Sequence, residues 1–307
     1  MTNKKRFITL TPILTPFLTV TLLVLLSVSG SIIKSQAEKI DGTPDFLLMV
    51  SVVQLIVFFF PCVIYYFLRG RSFNTNFLAS PFGPGQVLFV VFATMLLITG
   101  NLLIKCIYYI ALIPPPGGIN YLVSDLPADY PPTALAVIIA VALIPAICEE
   151  VFFRGVVFSE YRVYGAFNAV VFSAICFAMI HFSLEFFPLY FYSGLVLGLM
   201  AAVTKSIFAP IAAHFVSNLL SIFVSDSFLR ITIQKSGGFF AAFLSTSLFL
   251  MSLVLVLTRA EGILWKRSKT VRDETPLPKS AKNIAAVFLS PGFFGLALVF
   301  ILIIVLK

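Results

Sequence analysis

Nine long apolar runs limit what this chain can fold into. They fall roughly at 12–33, 45–68, 86–113, 132–158, 166–184, 187–204, 206–225, 239–258 and 283–306. A helix needs about twenty apolar residues to cross the hydrocarbon of a bilayer, and most of these runs reach that length. In hydrocarbon every backbone polar group must be satisfied internally, which leaves only helices and closed barrels. The runs are continuously apolar rather than alternating, which argues against a barrel. The expected fold is an all-α polytopic membrane protein, a bundle of about 8–9 transmembrane helices. Eight stays open as a count because the fifth to seventh runs are short and closely joined.

Composition agrees. The chain is 60% hydrophobic and 11% charged, where a soluble domain is nearer half and a quarter. No polar block is long enough to fold by itself, so 1–307 is read as one membrane domain. Within it we distinguish N-terminal helices over 1–130, a core over 131–225, and C-terminal helices over 226–307. The start, MTNKKRF, leads into an apolar run with no small-residue cleavage site, so the first run is expected to stay as a span.

The net charge of +8 reads as topology. With the N-terminus inside, fourteen of the twenty-one Lys and Arg fall in inner loops and five on the outer side, the asymmetry expected of a cytoplasmic N-terminus. Nucleic acid is therefore not the expected partner; membrane lipid is. The stretch 259–282, with KRSKTVRDETPLPKSAK, reads as a basic cytoplasmic linker that can touch anionic lipid. The loop IPPPGGINYLVSDLPADYPP carries no basic residue and is rich in turn formers. Cys62, Cys106, Cys148 and Cys176 all lie in apolar runs without a C-x-x-C pair, and read as small buried hydrophobes. The compact chain points to a bacterial plasma membrane.

Ionisable residues inside such a chain are costly, about 2.5–3.5 kcal/mol each at a helix centre on insertion scales, and usually face the bundle interior. Glu149, Glu150 and Arg154 lie within the fourth run, in AICEEVFFRG, and both histidines of the protein, His181 and His214, lie in later runs. Glu150 and Arg154 are four apart and can pair on one helix face. Glu149 is about 100° round from Glu150, so one carboxylate can face a site while its neighbour is tied to arginine. Phe177 and His181 in FAMIH, and His214 and Asn218 in HFVSN, are also four apart. Pro145 and Pro210 each stand four residues ahead of a polar residue, where a kink would free carbonyls. By helix rise, Glu149 lies about 16 Å in from Glu160, and His214 about 13 Å in from Lys205. His181 falls nearer the far end of its span, so the short fifth and sixth runs are candidates for a hairpin that does not fully cross.

Three patterns occur in order on separate helices: E-E-x-x-x-R at Glu149, Glu150 and Arg154; F-x-x-x-H at Phe177 and His181; H-x-x-x-N at His214 and Asn218. Together, over roughly 130–225, they resemble the CPBP family, which includes the type II CAAX prenyl endopeptidases and the bacteriocin-processing or self-immunity (Abi) membrane proteases. The resemblance implies an intramembrane endopeptidase with the CPBP helical core and a water-filled cavity open toward the cytoplasm. Its substrate would be a membrane protein or peptide precursor. By that resemblance Glu149 would activate water with His181 beside it, and His214 and Asn218 would stabilise the oxyanion. Glu150 completes the catalytic set, while with Arg154 it is structural or substrate-positioning, and Phe177 packs at the substrate site. The resemblance leaves the cofactor open between none and zinc. Two histidines and a glutamate can hold zinc with an open position, and the donors here would be Glu149, His181 and His214.

Plainer readings stand beside these. Glu150 and Arg154 can be an ion pair that only joins helices, and a membrane histidine can simply bond a carbonyl. Glu and His chains also mark proton relays, so a proton-coupled transporter is an alternative, although no inverted repeat is found. A membrane scaffold or immunity protein that keeps the residues without using them is the third reading.

Overall fold

In the computed structural model, the structure describes residues 3–37, 43–69, 78–111, 133–223, 238–270 and 281–306. Among them the regular structure is helical throughout. Six helices are long and apolar enough to cross a membrane, and three shorter apolar ones accompany them. The chain is thus an integral, all-helical membrane protein; the first eight apolar runs fall on helices, while the ninth, 283–306, is broken at Leu289 and Ser290 into two. The loop 113–132 lies outside the described residues apart from its surroundings.

The helices are α1 (Asn3–Ala37), α2 (Thr43–Arg69), α3 (Val87–Ile110), α4 (Ala134–Tyr164), α5 (Ala166–Met179), α6 (Phe187–Thr204), α7 (Phe208–Phe223), α8 (Gly238–Thr270), α9 (Ala281–Phe288) and α10 (Pro291–Leu306). Helix α8 runs along α3; α5 and α6 form a tight hairpin; α1 packs against α2 and α10. Helix α4 is enclosed by α2, α5 and α7 and carries the deepest part of the core. Its residues Val151 to Phe158 are all buried.

One end of the bundle is tied by polar contacts. Glu160 of α4, fully buried, accepts from Tyr65 at 2.6 Å, Arg69 at 2.7 Å and Thr11 at 3.0 Å. This joins α1, α2 and α4, because a buried charge is tolerated only when paired and hydrogen-bonded. Nearby connections do the same: Ile207 N donates to Leu78 O at 3.0 Å. Glu160, from which the depth of Glu149 is counted in the sequence, is thus a buried anchor of the bundle.

Helix α4 is not a plain α-helix. It begins with Thr133, whose side chain accepts from Ala136 N, an N-cap that satisfies one orphan donor. The turns at Ile138–Leu143 and Val151–Phe158 widen to π geometry, with Ile144–Glu150 between them in α geometry. Pro145 follows the first widened stretch, and having no N–H to donate it favours such a break. In the second, Ser159 Oγ donates to Arg154 O at 2.9 Å and Ser173 Oγ to Phe153 O at 3.0 Å. These hydroxyls add donors to carbonyls of the widened turn. Single π turns inside α-helices are frequent at functional sites.

Two sequence expectations change here. Pro210 does not kink α7. The helix starts at Phe208, so Pro210 stands in its first turn, where the missing N–H would have no intrahelical partner. The stretch 259–282 is not linker from its start. Helix α8 continues to Thr270, since Arg259, Glu261 and Lys266 are good helix formers and the first proline comes at Pro276. Residues 271–280 lie outside the described residues.

Candidate active site

The α4–α5 connection sets the level of the site. Gly165 has φ 106° and ψ 152°, a region essentially confined to glycine, and the chain reverses there within one residue. Glu149 lies sixteen residues before Gly165 and His181 sixteen after it. Two antiparallel helices of equal rise leaving one turn bring equidistant residues to the same depth. Helix α5 has only 14 residues, about 21 Å by helix rise, too short for a core of about 30 Å. Helices α5 and α6 do pair as a hairpin, and α6, with 18 residues, is long enough to cross. His181 follows the end of the short α5, and its ring and that of His214 both lie against Phe177.

Helix α7 brings the second imidazole. His214 is buried, and its Nδ1 lies 3.0 Å from Glu150 Oε1. The same oxygen accepts from Arg154 NH1 at 2.8 Å. Glu149 Oε2 lies 3.9 Å from His214 Nε2. The two adjacent carboxylates thus address the two nitrogens of one ring. The pairing of Glu150 with Arg154 across one turn is as the spacing predicts.

Arg154 is buried, and its NH2 donates to Gly194 O of α6 at 2.9 Å. Gly194 makes this reach possible. A Cβ there would stand 2.8 Å from Ala174 Cα, so only glycine lets α6 approach α5 so closely. Sequence reasoning missed Gly194, although GLVLG at 194–198 is a G-x-x-x-G of the kind that packs membrane helices.

Phe177 sits among these groups. Its ring lies 5.1 Å under the Arg154 guanidinium carbon, 5.7 Å from His214 and 5.2 Å from His181. Guanidinium over an aromatic face is favourable in a dry site. His181 Nδ1 lies 2.9 Å from Phe177 O. A carbonyl only accepts, so Nδ1 carries the proton. Asn218, one turn beyond His214, donates to Ala142 O at 3.4 Å, on the widened stretch ahead of Pro145. The structure therefore gathers Glu149, Glu150, Arg154, Phe177, His181, His214 and Asn218 into one region formed by α4, α5 and α7.

The zinc option can be tested on this donor set. Among the described residues, no three His, Cys, Asp or Glu side chains group closely enough to hold a metal ion. His181 is bonded to Phe177 O through Nδ1, and His214 gives its Nδ1 to Glu150. A catalytic zinc site needs three protein ligands about 2.0–2.2 Å from one point. Glu149, His181 and His214 are not gathered at that spacing among the described residues, while the Nδ1 bonds leave Nε2 of each imidazole unengaged, as in histidines that bind a metal through Nε2. Cys148, beside Glu149 in sequence, is a buried free thiol like the other three cysteines.

A helical membrane protein with paired carboxylates and two histidines meeting in its interior belongs to the class of intramembrane proteins with a buried polar site. Residues 131–220 match the model of the family described as type II CAAX prenyl endopeptidase Rce1-like. The match supports the CPBP/CAAX protease family, on the segment that carries all three sequence patterns. No curated protein and no solved structure matches the chain.

Proposed function

We propose that this protein is an intramembrane endopeptidase in which Glu149 activates water to hydrolyse a peptide bond of a membrane-associated substrate or peptide precursor. One observation carries the reading. Glu149 Oε2 is a buried carboxylate oxygen with no hydrogen-bond partner, 3.9 Å from His214 Nε2. That gap is too long for a direct hydrogen bond and suits one bridging water. A buried unpaired carboxylate needs a purpose to be retained.

The steps follow from the neighbours. The water gives a proton to Glu149 as its oxygen attacks the substrate carbonyl carbon. His214, held through Nδ1 by Glu150, presents Nε2 toward the developing oxyanion, and the second amide N–H of Asn218 adds a further donor. When the C–N bond breaks, Glu149 returns its proton to the leaving amine. His181, with its proton on Nδ1, presents the Nε2 lone pair and orients water beside Glu149. Glu150 and Arg154 hold His214 and the helices rather than touching substrate. The N-terminus would be cytoplasmic, by the distribution of Lys and Arg.

The test is cleavage of a membrane-peptide library by purified protein in detergent, wild type against Glu149→Gln, with and without a strong chelator. Cleavage by wild type that is lost in the variant and indifferent to chelator is expected. Cleavage that persists in Glu149→Gln would overturn the assignment, and loss with chelator would restore a metal. Wild-type protein that cleaves nothing would favour a scaffold or a proton-coupled carrier.

A further inference from the structure

His181 needs more than its backbone to hold its direction. Helix α5 ends at Met179, and the last turn is closed by His181 N to Ala178 O at 3.3 Å and Phe182 N to Met179 O at 3.1 Å. At Phe182 the backbone turns left-handed, with φ 49°, which is uncommon for a bulky residue. The helix thus ends two residues before the imidazole, and the chain turns away just after it.

Two contacts hold it. The first is the bond from Nδ1 to Phe177 O at 2.9 Å, which fixes the tautomer and leaves Nε2 as the acceptor. That bond restrains one atom; the ring can still rock about the axis through it. The second contact removes this freedom. The Tyr190 ring of α6 lies face to face with the imidazole, centroids 3.6 Å apart and planes 13° from parallel. Phe177 on α5 is tilted at 54° to the imidazole, so it fills space without defining the plane. Tyr190 stands on a different helix, four residues before Gly194, whose carbonyl receives Arg154. One face of α6 thus touches both the guanidinium and the imidazole.

We propose that Tyr190 is a positioning residue that fixes the plane of the His181 imidazole and with it the direction of the Nε2 lone pair. The role rests on the reading of His181 as part of the hydrolytic site. It requires an aromatic face at position 190 and not the hydroxyl. Few sequence features would have found it: the tyrosine lies in a run of aromatic residues, FFPLYFY, that is otherwise ordinary membrane-helix composition.

The test uses the full chain without a histidine tag, in detergent micelles, labelled with ¹⁵N-histidine. The protein has two histidines, so the spectrum holds two imidazoles, assigned with a His181→Gln sample. Wild type is expected to give one imidazole locked as the Nδ1–H tautomer, with its carbon-bound protons moved upfield by the tyrosine ring current. Tyr190→Phe should keep both signatures; Tyr190→Leu should keep the Nδ1–H tautomer that Phe177 O sets, lose the upfield shift and show faster ring motion of His181 in ¹⁵N relaxation. In the cleavage assay Tyr190→Leu should lower kcat on the order of 10²-fold with KM little changed, as for a misdirected catalytic group, and Tyr190→Phe should stay within a few fold of wild type. Unchanged His181 signals in Tyr190→Leu would overturn the proposal, whatever the activity. So would a Tyr190→Phe variant as impaired as Tyr190→Leu, which would move the role to the hydroxyl. The spectra do not depend on turnover, so protein that shows the lock but cleaves nothing would refute the hydrolytic reading and leave the stacking role of Tyr190 standing.

Discussion

His214 Nδ1 lies 3.0 Å from Glu150 Oε1, across sixty-four residues of chain. The oxygen that meets the imidazole is also the one that accepts from Arg154 at 2.8 Å. A single carboxylate atom therefore joins a guanidinium on its own helix to an imidazole on α7. Glu149, about 100° further round α4, is left to approach the other ring nitrogen at 3.9 Å. The two glutamates have the same side chain and different tasks, and their variants should separate.

Glu150→Ala should cost stability and Glu149→Gln should not. Removing Glu150 leaves Arg154 buried with its charge unpaired, a loss of about 3–5 kcal/mol when a buried pair is broken from one side. Glu149 carries no ion pair to arginine, so its amide should fold like wild type while losing cleavage. Thermal unfolding in detergent beside the activity assay reads both. Equal destabilisation by the two changes would undo the division of roles.

Asn218→Leu should act on rate more than on stability. Its bond to Ala142 O is long, 3.4 Å, and a neutral hydrogen bond contributes about 1 kcal/mol. Loss of an oxyanion donor costs about 10²–10³ in kcat. A variant that unfolds early yet cleaves at the wild-type rate would make Asn218 a helix tie and nothing more.

Gly194→Ala should separate α5 from α6. The new methyl would stand 2.8 Å from the Ala174 backbone, which cannot rotate away, and such overpacking costs about 1–3 kcal/mol. The shift also draws Gly194 O away from Arg154. Gly198→Ala is the control, since its methyl meets the Val170 side chain at 3.2 Å, which can move a few tenths of an ångström. Melting temperatures of the pair should rank Gly194→Ala well below Gly198→Ala.

Arg69→Met should destabilise without altering the chemistry of folded protein. It removes the 2.7 Å charged partner of buried Glu160, which also accepts from Tyr65 and Thr11. Breaking that pair should cost about 3–5 kcal/mol, and adding Glu160→Gln should recover part of it. Glu160 lies ten residues from Glu150, about 15 Å along the helix, so kcat per folded molecule should not change. A kcat that falls with Arg69→Met would tie this end of the bundle to the site.

Much of the site was legible because a membrane makes charge conspicuous. Glu149, Glu150, Arg154, His181, His214 and Asn218 stand out of apolar runs, and i,i+4 spacing is a property of the helix itself, so the Glu150–Arg154 pair could be read before folding. Gly194, Tyr190 and Glu160 were not legible in the same way. Gly194 acts through a backbone carbonyl, which every residue has. Tyr190 differs from its neighbours only by the ring it faces. Glu160 is buried by α1 and α2, which lie far off in sequence.

The sequence by itself determined that the chain is helical and lies in a membrane, where its helices fall, and which polar residues must turn inward. Those properties are local: apolar length, turn period, and the cost of charge in hydrocarbon. Only the tertiary structure decided which nitrogen of His214 each glutamate meets, that both imidazoles lie against Phe177, and that Pro210 merely starts α7. Those depend on the Gly165 reversal, the widened turns of α4 and the close approach of α5 to α6. Each of these is a relation between segments, and helical periodicity along one segment carries no record of it.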